Sequence, residues 1–92
     1  MYQLSDVIRR THSREGMTIL DVRRGQMFNL NVTGSRILEL LQNGLEAAEI
    51  VEKITLEFAI APASADRDVQ EFIAELESQK VIERISSERD RR

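Results

Sequence analysis

The spacing of apolar residues changes once in this chain, at Asn31. Before it, Met27 to Asn31 alternate: Phe28 and Leu30 point one way, Met27, Asn29 and Asn31 the other. After it, Ile37, Leu38 and Leu41 recur at helical spacing. Asn31 and Thr33 are both N-cap types, since each side chain can accept a hydrogen bond from a free helix N–H. Just upstream, Arg24-Gly25 marks a turn after a strand whose end carries Asp21. A sheet therefore comes first and helices follow.

The rest of the chain obeys the same division. Residues 7–12 and 17–22 read as strands, separated by a polar turn containing Gly16, and 27–31 is the third. Short turns between them imply an antiparallel meander. Helices are expected over 33–42, ended by Asn43-Gly44, over 47–58 and over 63–79. The second carries the stripe Ala47, Ile50, Val51, Ile54 and Phe58. The third has Pro62 at its start and the stripe Val69, Phe72, Ile73 and Leu76, with most of its acids elsewhere on the helix. Residues 81–85 are apolar enough to dock on the core or add a short strand. The expectation is an α+β fold, a winged helix-turn-helix-like arrangement with a three-stranded antiparallel sheet followed by three helices. It occupies 1–85 as one domain, with 86–92 a polar, disordered tail.

Ninety-two residues allow one modest core and no separate catalytic domain. No cysteine is present, which fits a cytoplasmic location, and neither a signal peptide nor a membrane-length apolar run is seen. Catalysis has little to work with. His12 is the only histidine and reads as a solvent-facing strand residue. Glu49 and Glu52 with Lys53 read as an ordinary charged helix surface. The four glycines are scattered and form no phosphate-binding loop. No cofactor, metal or catalytic residue is expected, and the protein is not expected to be an enzyme.

The order Asp21, Gly25, Phe28, Leu30, Asn31, Thr33, Gly34, Ile37, Leu38 resembles the PqqD family, named for the pyrroloquinoline quinone biosynthesis protein D. That family overlaps the recognition domains that hold leader peptides of ribosomally made, modified peptides. The resemblance implies the fold given above and a peptide chaperone that presents a precursor to a modifying enzyme, such as a radical S-adenosylmethionine protein or a peptidase or cyclase. In the family the leader is held between the third strand and the third helix. Carried onto this chain, the peptide-binding residues are Met27, Phe28, Asn29, Leu30 and Asn31 with Val69, Phe72, Ile73 and Leu76. The chain departs from the pyrroloquinoline quinone branch: its second turn lacks a Leu-Tyr-Pro-Glu-Gly type of sequence, and Lys80 stands where many members have Gly. A stand-alone recognition protein is favoured over pyrroloquinoline quinone synthesis itself.

Physics supports peptide binding independently. A three-stranded meander leaves edges whose N–H and C=O groups can pair with an extended peptide. Phe72, Ile73 and Leu76 are placed to floor an apolar groove beside that edge, with the acids of the third helix or Arg67 at its rim. Two alternatives stand beside it. A winged-helix nucleic-acid binder would use the third helix as reader, but Asp66, Asp68, Glu71, Glu75 and Glu77 would repel a polyanion. A generic protein-interaction domain is the other, with off-stripe Leu56 as a candidate exposed contact and Tyr2 and Leu4 as cover for an edge or contacts to a partner. The edge could equally form a homodimer, which would block the groove.

Overall fold

The computed structural model describes residues 2–85. The elements run β1 (Tyr2–Leu4), β2 (Ile8–Ser13), β3 (Gly16–Asp21), β4 (Gln26–Leu30), α1 (Val32–Gln42), α2 (Ala47–Phe58), α3 (Pro62–Ser78) and β5 (Ile82–Arg84). Strands β2, β3 and β4 form the expected antiparallel sheet in that order, so β4 is an edge. A second, two-stranded sheet pairs β1 with β5, Tyr2 opposite Arg84 and Leu4 opposite Ile82. The tail proposed for 86–92, and Met1, lie outside the described residues.

The core lies between the three-stranded sheet and the helices. Met17 and Ile19 from β3 meet Leu38 and Leu41 of α1, Ile50 and Ile54 of α2, and Val69, Ile73 and Leu76 of α3 in one buried cluster. Register explains the sheet's two faces. Met17 pairs with Leu30 and Ile19 with Phe28, and these four point inward. Thr18 pairs with Asn29 and Leu20 with Met27, placing these on the outer face.

Each element has a visible reason to stop or turn. Asp21, 2% exposed, accepts the N–H groups of Arg23 and Arg24 on Oδ1 at 3.0 and 3.1 Å, and its carbonyl accepts that of Gly25 at 2.8 Å. Gly25 completes the turn at φ +67°. Helix α1 ends where Gly44 adopts φ +90° and Leu45 donates back to the Leu40 carbonyl. In α2, the Glu49 carboxylate accepts the Glu46 N–H at 2.9 Å, one half of a capping box. Lys80, at φ +62°, occupies the left-handed position that favours glycine after a helix.

Arg36 ties α1 to α2. Its Nε and Nη2 each donate to a different oxygen of Glu57 at 2.9 Å, and Nη1 donates to Glu39 at 2.9 Å. The hydrogen bonds from Arg36 hold the Glu57 carboxyl below its ordinary range. A carboxyl whose folded pKa is lowered contributes stability above its unfolded pKa, and loses it as pH falls through the folded one. Glu57→Gln should therefore lower the melting temperature at neutral pH. The gap to wild type should close as pH falls below about 4.3, the ordinary Glu value, and should shrink in high salt. Thermal unfolding followed by circular dichroism across pH measures this.

Gly16 is the tightest backbone contact. It has φ +144°, and a Cβ placed there would lie 1.8 Å from the Leu30 carbonyl oxygen and 2.8 Å from the Asn31 carbonyl carbon. Gly16→Ala should cost at least about 1–3 kcal/mol from backbone conformation alone, and more from the clash. Urea unfolding reads that loss.

Candidate functional site

The direction of the unpaired groups on β4 follows from one hydrogen bond on the far side of the sheet. Val22 N–H donates to the Val7 carbonyl at 3.1 Å, so Val22 faces β2. Main-chain groups alternate sides along a strand, so Leu20 and Thr18 also face β2, while Asp21, Ile19 and Met17 face β4. Their partners Gln26, Phe28 and Leu30 therefore bond to β3. The N–H and C=O of Met27 and Asn29 point away from the sheet, at an edge that no strand among the described residues covers.

Across from this edge stands α3. Between them is a cavity of about 500 Å³, lined by Asn29, Leu30, Asn31, Thr33, Gly34, Ile37, Ile60, Asp68, Glu71 and Phe72. Outside the cavity, Arg24 Nη1 donates to the Gln79 carbonyl at 3.3 Å and links the β3–β4 turn to the end of α3. The start of β4 thus approaches the end of α3, while its last residue, Leu30, faces the middle of that helix.

The nine residues expected at the site fall into three groups. Asn29, Leu30, Asn31 and Phe72 line the cavity together. Met27, 65% exposed, belongs to the same edge on the outer face, and Phe28 is half-buried on the inner one. Val69, Ile73 and Leu76 are buried in the core, beneath the helix surface that faces the cavity. Helical geometry accounts for the split. At about 100° per residue, Val69, Ile73 and Leu76 cluster at the centre of the apolar stripe, and Phe72 lies on its flank. Asp68, four residues earlier, lies beside Phe72 and further round. The flank reaches the cavity and the centre holds the core.

Sequence reasoning did not single out Thr33, Gly34, Ile37 or Ile60 as lining residues. Gly34 carried a signal in the Thr-Gly step. A Cβ there would meet two Phe72 ring carbons at 3.4 Å and the Asn31 side-chain oxygen at 3.3 Å, so the missing side chain makes room for the ring. Ile60 sits in a two-helix connector with no periodic pattern to mark it. Asn31 is the N-cap of α1, its Oδ1 accepting the Gly34 N–H at 2.8 Å. Asn29 and Thr18 meet on the outer face, Thr18 Oγ1 donating to Asn29 Oδ1 at 3.0 Å.

Other surfaces offer less to an extended chain. A wider cavity of about 850 Å³ lies along α2, beside Leu45, Val51, Pro62 and Leu56, the last 79% exposed as anticipated. Its walls are helical, with main-chain groups already bonded within α2. His12 is exposed, beside Arg10, Glu39 and Gln42. Among the described residues, no cluster of three or more His, Cys, Asp or Glu side chains could hold a metal ion. None of their helices is long and apolar enough to cross a membrane.

Replacing Asn31 by Ala should remove the cap and cost about 1 kcal/mol in unfolding free energy. Amide exchange should quicken first at Gly34 and Ser35, where α1 begins. An unchanged stability with unchanged exchange would show that water caps the helix equally well.

A family model described as coenzyme PQQ synthesis protein D (PqqD) matches residues 16–82. Two solved structures share the fold. One, TbiB1 in complex with the TbiA(beta) leader peptide, is 28% identical with a TM-score of 0.81, covering 92% of this chain and 99% of that one. The other, lasso peptide synthetase B1 complexed with the leader peptide, is 25% identical with a TM-score of 0.82, covering 90% and 98%. A search of curated proteins found no match.

Proposed function

The chain belongs to the PqqD family, and from that membership and the open edge of β4 we propose that it is a peptide-binding module for the leader of a ribosomally made precursor. The leader adds to β4 as a further strand. It takes up the N–H and C=O of Met27 and Asn29, while its inward side chains enter the cavity against Leu30, Ile37 and Phe72. Phe28 supports that wall from the inner face. Val69, Ile73 and Leu76 act from beneath, holding the α3 backbone at the distance the leader needs.

The observation that carries this reading is an unpaired strand edge facing an apolar-floored cavity. Two folds of the same topology are complexed with leader peptides, which agrees with it. The module is non-catalytic, acts in the cytoplasm and presents its client to a separate modifying enzyme. That enzyme is a radical S-adenosylmethionine protein or a peptidase or cyclase, in pyrroloquinoline quinone or another peptide maturation pathway. A homodimer through β4 would compete with the client for the same groups.

Asn29→Pro tests the edge. Proline removes the outward N–H of Asn29, which β3 does not use, so an edge strand tolerates it. His12→Pro is the control, removing an outward N–H from β2 at the opposite edge. Amide NMR titrations with leader segments encoded near the gene should give saturable shifts at Met27, Asn29 and Phe72. Asn29→Pro should weaken binding by about 3- to 10-fold, one main-chain hydrogen bond's worth, and His12→Pro should not. Equal affinity in a folded Asn29→Pro variant would rule out strand addition at β4.

A further inference from the structure

The cavity carries two carboxylates beside its apolar floor. Asp68 and Glu71, at i and i+3 on α3, line it beside Phe72, and among the described residues no cation lines it with them. Arg67 lies nearest in the chain, its Nε 3.9 Å from Asp68 Oδ1, with both side chains more than half exposed. Such a pair is held weakly and leaves Asp68 free to take another partner. Glu71 has no ion pair among the described residues.

Strand geometry says which client residue would meet these carboxylates. A residue directly opposite Asn29 shares its face and points outward, so the residue opposite Leu30 points inward, to the apolar floor. The next inward side chain towards Asn31 lies two residues on, about 6.7 Å along the strand. On α3, Asp68 precedes Phe72 by four residues, about 6 Å along the helix axis. The two repeats nearly match. An apolar anchor against Phe72 therefore brings the second inward side chain to Asp68 and Glu71.

Resting on the peptide-binding reading above, we propose that this groove selects a client carrying Lys or Arg two positions from an apolar anchor, with Asp68 and Glu71 as the specificity-determining residues. The aliphatic stem of a Lys or Arg lies along the Phe72 ring while its charged head reaches the carboxylates. An acid at that position meets two like charges beside a low-dielectric wall and is rejected.

The test is selection from a displayed library of random segments of about twelve residues, enough to span β4 with flanks. It is run on the wild-type domain and on the Asp68→Asn, Glu71→Gln double variant. Both substitutions are at exposed positions and nearly isosteric, and circular dichroism confirms the fold. Wild-type selection should enrich peptides with Lys or Arg two positions from an apolar residue, by about 5-fold over Asp or Glu there. The double variant should still enrich apolar-anchored peptides, with the basic preference gone. The same basic preference on both proteins, or none on wild type, overturns the charge rule and leaves peptide binding intact. No enrichment on either protein, with no amide shifts at Met27 and Asn29 on adding the pooled peptides, removes the peptide-site reading and the charge rule with it.

Discussion

Three close approaches around Asn31 set the width of the groove. Gly16 lies against the Leu30 and Asn31 backbone, where no side chain would fit. Asn31 closes the first turn of α1 through the Gly34 N–H. Gly34 in turn leaves room for the Phe72 ring of α3. The end of β4, the start of α1 and the middle of α3 are thereby referred to one point. The first is backbone against backbone and cannot relax by a rotamer change, while the other two hold the Asn31 and Phe72 side chains against the backbone at Gly34. A groove defined this way keeps its shape without an occupant, which lowers the ordering cost of binding an extended peptide.

An edge left open for a partner is also an invitation to the wrong partner. This one is short, five residues, and its outer face carries only Asn29, bonded to Thr18, and Met27. The acids of α3 add like-charge repulsion between two copies brought together at the groove. The opposite edge, β2, is longer but carries Arg9, Arg10 and His12. Among the described residues nothing covers either edge, and β4, with Met27 exposed, remains available.

Much of this was legible in the sequence because the local signals agree. Helix α2 was placed to the residue, its apolar repeat running between Glu46 and a break after Phe58. Each of the three main strands was displaced by one residue, because pairing ends are set by partners and not by composition. The β1–β5 sheet was only half visible. Residues 81–85 were expected to dock or form a strand, but Tyr2–Leu4 gave no sign of being its partner. Three residues carry too little pattern, and the pairing joins opposite ends of the chain. What holds it is specific: Arg84 donates to the Tyr2 hydroxyl at 2.6 Å and lies 5.1 Å from its ring centroid. The burial of Asp21 was equally hidden, since an acid at a strand end reads as surface until the N–H groups it accepts are seen.

The candidate site was harder to read than the fold because one helix must serve two surfaces. An apolar stripe identifies which residues of α3 turn inward, but not which side of the stripe faces a groove. Val69, Ile73 and Leu76 satisfy the stripe and go to the core, and Phe72 satisfies it and goes to the cavity. The distinguishing information lies off α3 altogether, in the space left by Gly34 and in the edge position of β4. A helix flank becomes part of a site when another element leaves a gap beside it. That is why the carboxylates of Asp68 and Glu71, which look like solvated surface in the sequence, take on meaning only opposite an unpaired strand.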